Sequence, residues 1–218
     1  MPTDRDRRAS AMIERWDRVF RALTAEPRRQ IVVALMEAPP ERQLSLPEAA
    51  NPPYQLRDPE TLYVDLVHTH LPVLAEHDFV EWEREPLSVE RGPAFEEVAV
   101  VFDALQAYAG AIPPQLTQEC QRLEEHAGAV VTRPDDVTME LVGAIAAVEG
   151  VEAHELDYSL HDYVATDAVR AMAEADTDDW ELTFEVPDHT VTVDGAGEIR
   201  IDGVTVRESD VVQSDEIR

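Results

Sequence analysis

Two stretches of two-residue alternation, each preceded by runs of helical periodicity, limit how this 218-residue chain can fold. The first is Phe79-Val80-Glu81-Trp82-Glu83 and Leu87-Ser88-Val89-Glu90, flanking Arg84-Glu85-Pro86, which reads as a hairpin. The second runs through Trp180, Leu182, Phe184 and Val186, continues at Val191 and Val193, and resumes at Ile199 and Ile201 beyond Gly195-Ala196-Gly197. Short strands joined by tight turns pair antiparallel, and the helices ahead of them must cover one face. The order predicts an α+β chain of two domains.

The helical runs follow from spacing and punctuation. Ser10 is a good N-cap for a first helix carrying Ile13, Trp16, Phe20 and Leu23. Pro27 suits the first turn of a second, with Ile31, Ala34 and Leu35 on its apolar face and Pro39-Pro40 as its stop. Ser45 to Ala50 predicts a short third helix, and NPPYQLRDP is a loop. From Glu60 to Glu76 the pattern is helical again, and Pro72 should kink or split it. Phe95, Val98, Phe102, Leu105 and Ala109 mark another helix, and Leu116, Cys120, Leu123 and Ala127 a shorter one. Further on, Val137, Leu141, Ile145 and Val148 share the face of a helix closed by Gly150. Thr166 should cap a helix using Val169, Met172 and Ala173. The predicted layout is a first domain over 10–112, a linker with a short helix over 113–135, a second domain over 136–206 and a flexible tail over 207–218.

Charge describes the solvent. Asp and Glu number 46 against 18 cations, all of them arginine, for a net −28. Carboxylates hold water tightly, while the absent lysine stems would expose apolar carbon where salt strengthens hydrophobic association. At 1 M salt screening acts within about 3 Å, so self-repulsion on this scale is tolerated. The acids are unevenly set: residues 1–134 have net −9, residues 135–218 net −19, and residues 1–30 net +3. No apolar run approaches the length of a membrane span, and MPTDRDRRAS lacks a signal-peptide core, so a soluble cytoplasmic protein is expected. A single cysteine, Cys120, excludes an internal disulfide.

Three helices and a two-stranded hairpin follow the order of a winged helix-turn-helix. ALTAEPRRQIVVALM and VHTHLPVLAEHDFVEW resemble the haloarchaeal winged-helix family related to arsenical-resistance type repressors. The matching features are the pair Arg28 and Arg29 opening a helix, and the motif His68, His70, Leu71 and Pro72. The chain departs from that family at His77-Asp78-Phe79, where Glu-Ala-Gly is usual. Residues 136–202 resemble the halobacterial output domain, through ELVGAIAAVEGVEAHELDYSLHDYVATDAVRAMAE and then WELTFEVPDHTVTVDGAGEIRIDG. The marks are Glu149-Gly150, the Leu156 and Leu160 turn, and Phe184-Glu185; Ser159 stands where that family commonly has proline. The resemblances imply a winged-helix domain followed by a small domain of two helices and an antiparallel meander. They further imply a non-enzymatic regulator that binds DNA and relays a signal, or else an adaptor in which both domains bind proteins.

Between Asp58 and Glu76 there is no Arg, Lys, Asn or Gln, the usual readers of base edges. If DNA is bound, the candidates are the phosphate contacts Arg28, Arg29, Arg57, Arg84 and Arg91, with Thr61 and Tyr63 as possible base contacts. His68 and His70 point about 200° apart on an ideal helix, which argues against a shared metal, with His77 included. No phosphate loop, nucleophile elbow or zinc-protease motif is present, so neither catalysis nor a cofactor or small-molecule substrate is expected. The apolar surplus of Val98, Val101, Phe102, Leu105 and Tyr108 suggests either a homodimer contact or docking within the chain.

Overall fold

The computed structural model describes residues 4–51, 58–108, 137–175 and 177–206, with side chains from residue 10 onward. The chain is mixed helix and sheet with two antiparallel sheets. It divides into two compact units. The first comprises Met1–Leu62 and Val73–Val131, and the second Tyr63–Pro72 and Thr132–Arg218.

In the first unit, α1 (Asp4–Leu23) and α2 (Glu26–Glu37) lead to β1 (Leu44–Ser45) and a single 3-10 turn, Glu48–Ala50. Helix α1 thus begins six residues before Ser10: a serine can open a helix, but the charged residues ahead of it continue the same turn. The short helix expected over 45–50 is instead a strand and a turn. Leu44 and Ser45 pair with Val89 and Ser88, so tertiary pairing overrides the local pattern. The hairpin forms as expected, with β2 (Val80–Arg84) and β3 (Leu87–Arg91) in a sheet of order β1-β3-β2. Gly92 follows because nothing larger fits: a Cβ there would lie 2.4 Å from the Asp78 carbonyl oxygen. Helix α5 (Phe95–Ala107) closes the described part of this unit; between β1 and β2 run α3 (Pro59–Asp65), a π turn (Leu66–His70) and α4 (Leu71–Ala75).

The core of the first unit includes Val19, Ile31, Val32, Leu35, Phe79, Val89, Phe95 and Val98, each at most 4% exposed. Burying a side chain of this size stabilises by about 1.5–3 kcal/mol. Of the stripe read from α1, only Leu23 joins that core. Ile13, Trp16 and Phe20 are 57, 49 and 52% exposed, while Val19, Ala22 and Leu23 point inward. Periodicity locates a stripe; it does not say what covers it.

In the second unit, α6 (Val137–Glu149) ends as its glycine predicts: Gly150 has φ 72° and the Val151 N–H reaches back to the Ala146 carbonyl. Helix α7 (Thr166–Ala173) starts after Ala165, so Thr166 is its first residue and not its cap. Then β4 (Glu181–Val186), β5 (His189–Asp194), β6 (Ile199–Ile201) and β7 (Val204–Val206) form a meander. Leu182 faces Val193 and Phe184 faces Val191, which brings the alternating apolar residues of both strands onto one face. Val191, Val193, Ile199 and Ile201 meet Leu141, Ile145, Leu160 and Val169 in one core, and Val64 belongs to it. Val148, in the last turn of α6, stays exposed. The predicted 113–135 linker and 207–218 tail lie outside the described residues.

Candidate functional site

The helical run from 59 to 75 is where the sequence placed base contacts. Asp58 opens it: its carboxylate accepts from the Thr61 amide at 2.9 Å and the Thr61 hydroxyl at 3.0 Å. The backbone bond and then the hydroxyl bond hold the Asp58 carboxyl below its usual range. Pro59 follows in the first turn, where its missing N–H is not needed.

Pro72 is the costly proline. Ahead of it the helix widens into the π turn, and the Leu71 N–H bonds the carbonyl of Leu66, five residues back. In that register the Val67 carbonyl would take its bond from residue 72, which has no N–H. The Ser159 hydroxyl supplies the donor instead, 3.0 Å from the Val67 oxygen and 3.4 Å from that of His68. Beside it the Leu160 amide donates to His68 Nδ1 at 3.2 Å, which places the proton of a neutral His68 ring on Nε2. Asp65 Oδ2 lies 3.0 Å from His70 Nε2, and its other oxygen pairs with Arg170 at 3.6 Å. Their side chains are 5% exposed for Asp65, 2% for His70 and 19% for Arg170. Buried charge of this kind persists only where it is paired and hydrogen-bonded. Tyr63 stands edge-on to His154 with ring centroids 6.4 Å apart. These residues form a polar seam within the second unit.

Every residue from Val64 to Leu74 is buried, so this stretch presents no face to a major groove in the state described. The other candidates are dispersed. Arg28 is 1% exposed and donates to Thr24 at 2.7 Å. Arg29 binds Glu26 and the Leu23 carbonyl. Arg91 turns its guanidinium onto the last carbonyls of α2, 2.6 Å from Leu35 and 3.1 Å from Ala38, over the ring of Phe95. Arg84 ends β2 half-buried, Tyr63 is also half-buried, and Thr61 is exposed. Arg57 lies outside the described residues. Of the proposed dimer contacts, Val98 is fully buried in the first unit, Val101 and Phe102 are half-buried, and Leu105 and Tyr108 are exposed. His77 is buried, edge-on to Phe79, and among the described residues no three His, Cys, Asp or Glu side chains cluster as metal ligands do.

Sequence reasoning missed Asp65, Ser159 and Arg170 as a set. Two signals were available: a proline inside a helix requires a donor from elsewhere, and a serine occupied a position where the resembled family commonly has proline. Nothing local connects them, since Ser159 and Val67 are 92 residues apart.

Residues 133–203 match the model of halobacterial output domain 1. The match covers α6, α7 and β4–β6, and supports the C-terminal resemblance read from the sequence. It points to a haloarchaeal, signalling-type role for the output domain. No curated protein and no solved structure matches the chain. Among the described residues no helix is long and apolar enough to cross a membrane.

Proposed function

We propose that the protein is a non-enzymatic, cytoplasmic regulator of haloarchaea, in which a winged-helix domain contacts DNA and the output domain relays a signal to it. One observation carries the reading: the output-domain match is preceded by two helices, a short strand, a further helical run and a hairpin, with a sheet of order β1-β3-β2, an order that supports a winged-helix reading. Gel shifts with genomic fragments at several KCl concentrations test it. Arg84→Ala should weaken binding nearly uniformly and reduce the salt slope by about one unit, whereas changing Thr61 should alter fragment preference. If no fragment is preferred and Arg84→Ala changes nothing, the reading fails.

The burial of Val64 to Leu74 favours a second reading, an adaptor in which both domains bind proteins. Under either reading a second copy is the proposed partner of the exposed Leu105 of α5 and of Tyr108 at its C-cap. Sedimentation of the wild type against Tyr108→Glu would show it, with the variant shifting toward monomer.

A further inference from the structure

We propose that residues 63–72 are a detachable segment, and that the Ser159–Leu160 step with Arg170 is the docking surface that holds it. The inference rests on the regulator reading above and adds how that regulator would be controlled. Three features identify a docking surface and not only a core. First, the contacts are polar and specific to this occupant: a hydroxyl aimed at the acceptor orphaned by Pro72, an amide on His68 Nδ1, and a guanidinium on Asp65. Second, the segment is separated from the rest of its unit by residues 73–131 of the chain, so it can leave without breaking a strand of the meander. Third, the two uses of the segment exclude one another. A helix that reads a groove needs one face in water, and residues 64–72 have none while Ser159 is engaged.

Release would take Val64 out of the core and leave the Val67 carbonyl and the Asp65 oxygen that faces Arg170 to water, while the Asp65–His70 pair travels with the segment; an exposed helix allows this and a buried one does not. A signal that moves the Leu156–Leu160 turn or α7 would therefore free the segment. No new fold is needed, only a shift between docked and released populations.

Amide hydrogen exchange on the full chain in high KCl tests this. Ser159→Ala and Arg170→Gln should each speed exchange across 63–72 by about tenfold, as expected for one lost bond of this kind. Exchange in β4 and β5 should stay unchanged and so report that the output domain remains folded. Pro72→Ala restores a backbone donor, so the effect of Ser159→Ala should largely vanish in that background. Unchanged exchange over 63–72, or an equal rise over the whole second unit, overturns the proposal. The same variants in gel shifts separate the two ideas. Opening of 63–72 without binding to any fragment upholds detachment and sinks the DNA reading, while DNA binding by wild type with 63–72 still protected does the reverse.

Discussion

In α2 the proline stands in the first turn, where its missing N–H would have been unpaired in any case; in the run from 59 to 75 it stands where a bond is lost. Both helices nevertheless have carbonyls in need of donors. Those at the end of α2 are met by Arg91, the last residue of β3 and a member of the same unit. The one opposite Pro72 is met by Ser159 in the turn before α7. A backbone acceptor must be satisfied, but the origin of its donor decides which parts of the molecule become coupled. Arg91 fixes a helix to its own sheet. Ser159 ties a helix to an element 92 residues away.

Withdrawing salt should separate the two regions most. The C-terminal 84 residues have net −19 and the preceding 134 have net −9. Between about 3 M and 0.1 M KCl the screening length grows to roughly 10 Å. Protection of amides in α6 and β5 should therefore be lost at higher KCl than protection in α2. Full cooperative stability of both in dilute buffer would contradict this.

Arg91→Ala should be next in size. It leaves the carbonyls of Leu35 and Ala38 without their charged donor and removes the cation from the ring of Phe95. The expected loss is about 2–3 kcal/mol by urea denaturation at constant high KCl. A loss within error would mean that water replaces the guanidinium.

The smallest effect lies where the two helices start. Ala25 precedes α2 and forms no side-chain cap, whereas Asp58 caps the later run with a carboxylate held below its ordinary value of 3.8. A lowered folded value means that the stabilisation is complete above pH 3.8 and disappears as pH falls through the folded value. The Thr61 amide signal should titrate in that acidic window, and Asp58→Asn should abolish the dependence.

Much of the fold was legible in the chain. The hairpin at 80–91, the meander and the Gly150 stop each depend on neighbours in sequence, and local chemistry fixes them. Burial was less so. Ile13, Trp16 and Phe20 have the spacing of a core face and remain exposed, because spacing sets which residues share a face and not what lies against it. The candidate site was least legible of all. Pro72 announced a distorted helix, and the structure shows the distortion as a π turn, but the donor that answers it follows only from the tertiary fold. Arg28 and Arg91 looked like phosphate contacts because a cation's sequence neighbours do not reveal whether its charge meets solvent or a helix end.

The second unit is not contiguous along the chain, and this limits how it can be moved. The family match begins at residue 133, the natural place for a cut, yet one segment of the unit, Tyr63–Pro72, lies sixty residues upstream. A cassette excised at 133 and grafted behind another protein would leave Val64's place in the core open to water and the Ser159 hydroxyl without its carbonyl. To recombine cleanly, such a module must either bring the helix with it or find a substitute in its new host.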